Sequence, residues 1–207
     1  MVKKIKIGVL VSGSGTNLQS IIDNCESGRI DATVEVVISD APKAFAIERA
    51  KKHQIDTVII ERGKFKNRKT FEERIVSELK AHNVDLVCLA GFMRIIGKTL
   101  LGGFPGEIIN IHPALLPSFP GLNGQKQAFD YGVKITGCTV HFVDDKVDHG
   151  PIICQSSVPV KEDDSAESLK ERILTEEHKI YPQAIQLYAE KRLKIENRRV
   201  YILPEKP

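Results

Sequence analysis

Two hydrophobic periods alternate along this chain. Short apolar runs such as KIKIGVLVSG, TVEVVISD, DTVII and VDLVCLAG predict strands. Between them lie longer segments in which apolar residues recur every three or four positions. In NLQSIIDNCESG, Leu18, Ile21, Ile22 and Cys25 share one helical face and Gly28 supplies a stop. KAFAIERAKKHQ and TFEERIVSELKAHN predict two further helices. The strand runs lack polar alternation, so burial on both faces is expected, and strands alternating with helices imply βαβ crossovers. That pattern builds a parallel sheet covered by helices.

After GEIINIH the pattern changes. ITGCTVHFV and PIICQSSVPV are separated by a short polar loop with no helix, so they are expected to pair antiparallel at one edge of the sheet. A helical segment over residues 166–193 follows, with Leu169, Ile173, Ile180 and Leu187 as core contacts, and Pro182 is expected to kink or divide it. No repeat, low-complexity tract or linker interrupts the pattern. The fold class expected is α/β: a single domain over residues 1–207, with a mostly parallel sheet flanked by helices and antiparallel edge strands.

Composition narrows the partners. The chain has 207 residues, 42% of them hydrophobic, enough to bury one good core. Its net charge of +3 is small and its lysines and arginines are interspersed with acids, so the footprint of a nucleic-acid binder is missing. An anionic small molecule stays compatible. Cys25, Cys88, Cys138 and Cys154 form no CxxC pair and read as buried thiols in a reducing compartment. The opening MVKKIKIGVLVSG places basic residues before an apolar run, but residues 7–11 are too few for a secretory core and no small-residue cleavage site follows. No apolar stretch reaches membrane-spanning length. A soluble, cytoplasmic protein with no membrane partner is expected.

Three stretches carry candidate chemistry. SGSGTN, residues 12–17, joins the first strand to the first helix, where glycines and helix amides attract a phosphate or carboxylate. A dinucleotide fingerprint would need a glycine where Leu18 stands, although Asp40 ends the next strand where a ribose-binding acid sits; a small monophosphate fits better. The second stretch, INIHPALLPSFPG, places Asn110 and His112 two apart at a strand's end, on one face of the sheet. The third, DDKVDHGPII, offers Asp148 in a loop whose HGP turn fixes its direction, with His149 read as an exposed side chain. A carboxylate beside His112 is expected to raise the histidine pKa. An amide donor, a cationic imidazole and a carboxylate suit acyl transfer through a tetrahedral oxyanion. With no Ser or Cys beside His112, direct attack by a substrate amine is implied.

Taken together, GVLVSGSGTNLQSII, LAGFMRII, INIHPALLPSFPG, TVHFVDDKVDHGPII and EEHKIYP resemble the phosphoribosylglycinamide formyltransferase family, folate-dependent enzymes of purine synthesis. The resemblance runs through essentially the whole chain and implies a Rossmann-like formyltransferase fold. It implies formyl transfer from 10-formyltetrahydrofolate to the amine of phosphoribosylglycinamide, with no metal and with the chain a monomer or homodimer. Asn110, His112 and Asp148 match the family's catalytic trio. Gly15, Thr16 and Asn17 match the segment that holds the substrate phosphate, and Glu177 the position that contacts the ribose. Arg68, in the basic loop KFKNRK, with Met93, Arg94, Ile95, Ile96, Asn110 and Asp144, falls on the folate side. His141 matches a histidine that supports the site.

The chain departs from the family in carrying Asn123 where many relatives have a histidine and Asp40 in place of an asparagine. It is too short for the extra domains of relatives that formylate initiator tRNA or hydrolyse formyltetrahydrofolate. Two other readings stay open on the residues alone. One is a metal-dependent amide hydrolase with His112, His141 and Asp148 as ligands. The other is a non-catalytic nucleotide-binding module built on the glycine loop and Asp40, which leaves the NIH and VDHGP stretches without a task.

Overall fold

Strand β1 (Ile5–Val11) pairs in parallel with β2 (Ala32–Ser39) on one side and β4 (Leu86–Leu89) on the other, so that Val9 opposes both Val37 and Cys88. A strand with neighbours on both edges and helices over both faces has no solvated side, and the last five residues of β1 are all buried. The computed structural model describes residues 4–205; the basic start of the chain, residues 1–3, lies outside them.

The chain forms two compact units, one up to Ile109 and one from Asn110 onward. In the first, the strand order is β3-β2-β1-β4. β3 (Asp56–Ile59) is the outer strand, which is why its residues are not buried on both faces as the apolar run DTVII predicts: Asp56 and Ile59 are exposed. Helix α1 (Thr16–Glu26) buries the four residues expected of it, Leu18, Ile21, Ile22 and Cys25. Helices α2 (Phe45–Lys52), α3 (Arg68–Ala81) and the short α4 (Lys98–Gly103) complete the unit. Arg68 therefore opens a helix rather than lying in a basic loop, because Asn67 caps α3 by accepting from the Thr70 amide.

β5 (Ile108–His112) carries the chain from the first unit into the second. There β6 (Ile135–Phe142) and β7 (Ile152–Pro159) pair antiparallel, as their helix-free connection predicts. Their register shifts between Val140 and His141, a bulge that re-aims the side chains at the strand's end. Helix α5 (Gly124–Tyr131) starts after Asn123, whose φ of 57° lies in the left-handed region that asparagine tolerates well.

Helix α6 (Ala166–Ala189) opens with a capping box at Ser165 and buries Leu169, Ile173, Ile180 and Leu187. It differs from the sequence expectation twice. The helix runs through Pro182 without dividing, the ring being buried in the core, where packing outweighs one missing amide. It also stops at Ala189, and the chain continues as a hairpin of β8 (Leu193–Glu196) and β9 (Arg199–Ile202), with Asn197 at φ 55° in the turn. The order on this side is β6-β7-β9-β8. Among the described residues no helix is long and apolar enough to cross a membrane, and all four cysteines are unbridged.

Candidate active site

In the second unit, four polar side chains meet at the end of β5. Asn110 and His112 project from the same face of the strand, and His141 and Asp148 join them from β6 and the loop that follows it. The Asn110 amide nitrogen lies 3.2 Å from His141 Nε2 and 3.4 Å from Asp148 Oδ1. His112 Nδ1 lies 3.3 Å from Asp148 Oδ2, and its Nε2 is 2.8 Å from the Phe119 carbonyl oxygen. His141 Nδ1 faces the carbonyl oxygen of Phe142 at 2.8 Å. That contact makes Nδ1–H the donor, and Nε2 faces both the Asn110 amide nitrogen and Asp148 Oδ1, the latter at 3.7 Å.

Loop geometry fixes Asp148. Its φ is 48°, a left-handed conformation that turns the carboxylate toward the strand end, and Oδ2 accepts from the Gly121 amide at 2.7 Å. Burial works to raise the carboxyl pKa, yet the His141 contact, the nearby His112 and the Gly121 amide together hold it below its ordinary range, so Asp148 is an anion.

His112 shows the opposite balance. The imidazole is almost fully buried, and burial lowers its pKa despite the opposing pull of Asp148 and the Phe119 carbonyl; His141 lowers it further. The expectation that the carboxylate would raise this pKa thus identifies a real contribution that desolvation outweighs. Protonated, His112 has an acceptor opposite each nitrogen, Asp148 at Nδ1 and Phe119 at Nε2. Asp148 then orients the ring and Nε2 carries the transferable proton.

Glycine is required beside this ring. A Cβ on Gly124 would lie 2.8 Å from His112 Nε2 and 3.0 Å from the Phe119 oxygen. Phe119, Gly121 and Gly124 are part of the site without having been singled out in the sequence; the cluster of proline and glycine in PSFPGLNG is the signal that marks the turn. Glu177 is buried in α6, away from the exposed surface that an isolated helix charge would occupy. Asp144 pairs with His149, Oδ2 to Nδ1 at 2.7 Å, so His149 is no unattached surface residue.

In the first unit the glycine loop meets α1 as the sequence implies. Gly15 is the N-cap with φ 71°, and a Cβ there would sit 2.6 Å from the Ala46 Cβ, so both conformation and space demand glycine. The first intrahelical bond runs from the Gln19 amide to the Gly15 carbonyl. Thr16 and Asn17 precede it at the positive end of an 11-residue helix, the geometry that receives an anion.

Beside this loop, Asp40 is nine-tenths buried and uses both oxygens: Ser12 Oγ donates to Oδ1 at 2.6 Å and Arg94 Nε to Oδ2 at 2.5 Å. The Met93 amide in turn donates to Ser12 Oγ. A carboxylate so engaged is not placed as a ribose acceptor, which removes the main support for a dinucleotide module. Among the described residues no group of three His, Cys, Asp or Glu side chains is placed to hold a metal ion.

Arg94 and Met93 border a hollow of about 320 Å³ shared with Arg62, Arg68, Phe71, Glu72 and Ile95. Met93 and Ile95 are 57% and 63% exposed, so apolar surface is offered to an occupant instead of the core. Ile96 is buried behind this stretch and is not among the residues that line the hollow. Glu72 forms the floor. It accepts from Arg68 Nε at 2.8 Å, the Gly97 amide at 2.7 Å and the Leu100 amide at 3.2 Å, tying α3 to the start of α4. Arg62 and Glu72 were not singled out from the sequence; the four-residue spacing of Arg68 and Glu72 on a helix is the available signal.

Residues 5–185 match the formyl transferase family model. The phosphoribosylglycinamide formyltransferase of Bacillus subtilis is 43% identical over 180 residues, covering 87% of this chain and 92% of that protein. Human trifunctional purine biosynthetic protein adenosine-3 is 44% identical over 187 residues, and this chain spans only 18% of its length. Among solved structures, glycinamide ribonucleotide transformylase 1 from Symbiobacterium toebii superposes with a TM-score of 0.97 at 53% identity, covering 99% of this chain and 96% of that one. The match over both units, at this identity and coverage, means that the chain belongs to the formyl transferase family.

Proposed function

We propose that this chain is a phosphoribosylglycinamide formyltransferase, transferring the formyl group of 10-formyltetrahydrofolate to the amine of phosphoribosylglycinamide on the purine (IMP) pathway in the cytoplasm. Residues 1–207 act in this reading as one formyltransferase domain. The observation that carries the reading is the meeting of Asn110, His112, His141 and Asp148 within hydrogen-bonding reach, in a chain whose relatives of similar length bear that enzyme's name.

The residues divide the work by chemistry. The amine attacks the formyl carbon, a C–N bond forms, and the carbonyl oxygen becomes an oxyanion. Asn110 donates to that oxyanion with the hydrogen it directs at Asp148, whose 3.4 Å contact is the longer of its two and the one an oxyanion replaces. Collapse breaks the bond to the donor nitrogen, which takes the His112 Nε2 proton. The proton lost by the attacking amine returns the imidazole to its charged form, so the cycle balances. Asp148 keeps the ring oriented and its charged form accessible.

Binding follows from the first unit. Gly15, Thr16 and Asn17 receive the acceptor's phosphate at the start of α1. The hollow beside Met93, Arg94 and Ile95 offers apolar walls for a flat ring, and Arg68 a cation for the acidic tail of the donor. Glu177 contacts the ribose, Ile96 backs the folate wall, and Asp144 belongs to the folate side.

A spectrophotometric assay of folate deformylation tests this reading. Turnover is expected only when phosphoribosylglycinamide is present. Equal deformylation without the acceptor makes the chain a hydrolase, and no turnover with both substrates refutes the proposal.

A further inference from the structure

Arg198 stands at the turn between β8 and β9, beyond residues 5–185 that match the family model. Its guanidinium reaches back to the loop that carries Asp148. Nη2 donates to the His149 carbonyl oxygen at 2.7 Å, and Nη1 lies 3.2 Å and 3.1 Å from the two ring nitrogens of the same histidine. Near-equal distances to both nitrogens place Nη1 against the ring as a whole. His149 Nδ1 meets Asp144 Oδ2 at 2.7 Å, and Asp144 Oδ1 accepts from the Lys146 amide at 3.0 Å.

The next residue, Gly150, packs so closely under Phe142 that an added Cβ would collide with the Phe142 carbonyl oxygen. Asp148 itself sits at φ 48°, in the left-handed region that aspartate visits more readily than most side chains, and its neighbours set the direction of the carboxylate. After Asp148 the chain is held at His149 by Arg198 and Asp144, at Gly150 by close packing on Phe142, and at Pro151, whose carbonyl oxygen accepts from the Phe142 amide.

We propose that Arg198 is a positioning residue: by clamping the carbonyl and ring of His149, it holds the Asp148 carboxylate toward Asn110 and His112. This rests on the formyl-transfer reading for its consequence in rate, but not for its effect on geometry. An exposed arginine pair is ordinarily worth little. Here the guanidinium meets one residue twice, Nη2 at its backbone carbonyl and Nη1 against its ring, so the arginine acts on where the loop lies more than on whether the chain folds. A misplacement of about 1 Å at a reacting group costs up to about 100-fold in rate, and partial loosening is expected to cost about tenfold.

The test compares wild type with Arg198→Ala, Arg198→Lys, His149→Ala and the Arg198→Ala/His149→Ala double variant. Expected for Arg198→Ala are a roughly tenfold lower kcat, both KM values within about twofold, and a lower His112 titration midpoint by NMR in substrate-free protein. Arg198→Lys, able to reach the His149 carbonyl but not to fork, restores part of the loss. The double variant is no worse than the more impaired single one. Unchanged kcat with unchanged His112 titration overturns the proposal, as does a loss of kcat that tracks only a lowered melting temperature. If wild type transfers no formyl group, the functional reading fails, and the His112 titration still decides the clamp.

Discussion

His112 directs Nδ1 at Oδ2 of Asp148 across 3.3 Å, with the imidazole almost wholly out of solvent. Burial lowers the histidine pKa below 6.5 and Asp148 opposes the shift. Replacing Asp148 by Asn removes the opposing charge while keeping the shape, so His112 is expected to titrate at still lower pH. Long-range nitrogen–proton NMR of the imidazole measures this; an unmoved midpoint would show the two groups to be uncoupled.

The same shift makes stability depend on pH. Between the lowered native value and the ordinary 6.5, the native state carries fewer protons on His112 than the unfolded chain does. Lowering the pH through that window therefore favours unfolding. Urea unfolding between about pH 7 and about pH 5 is expected to show wild type losing stability more steeply than His112→Gln, which lacks the titrating ring. Parallel profiles would contradict it.

Gly124 gives a packing test. An alanine methyl there would lie 2.8 Å from His112 Nε2, closer than real Cβ contacts allow, and 3.0 Å from the Phe119 carbonyl oxygen, tighter than most. Gly124→Ala is expected to lower kcat about tenfold to 100-fold by displacing the ring. Far-UV circular dichroism should stay near that of wild type, because Gly124 heads a short helix outside any strand. Wild-type kcat in this variant would mean that the Phe119 turn is not needed near His112.

Asp40 links Ser12 and Arg94, and through Ser12 the Met93 amide, behind the apolar hollow. Asp40→Asn cuts the charge-assisted bond to Arg94 and is expected to raise KM for the folate donor about tenfold, with a smaller change for the phosphoribosyl acceptor. Steady-state kinetics with each substrate varied in turn separates these. An equal rise in both KM values would mean that Asp40 supports the unit as a whole and not the donor pocket.

Much of this was legible in the sequence because it is local. The buried face of α1 follows from the spacing of Leu18, Ile21, Ile22 and Cys25, and the shared direction of Asn110 and His112 follows from the two-residue period of a strand. What escaped depends on tertiary partners. Asp40 reads as a free strand-end acid until Arg94, far along the chain, closes on it. Pro182 reads as a break until the core around it is seen. The β8–β9 hairpin hid behind helix-forming residues, although LKIE and RVYI alternate around Asn197. His149 reads as an exposed side chain, and Arg198 goes unnoticed, because nothing in their neighbourhoods announces that a hairpin turn meets a loop.

The account turns on Asn110 as donor to the oxyanion. Single-turnover kinetics of Asn110→Ala, with both substrates saturating and their binding measured separately by calorimetry, tests this most directly. The account predicts a rate lower by about 100-fold to 1,000-fold with both substrates still bound. Transfer at close to the wild-type rate would contradict it.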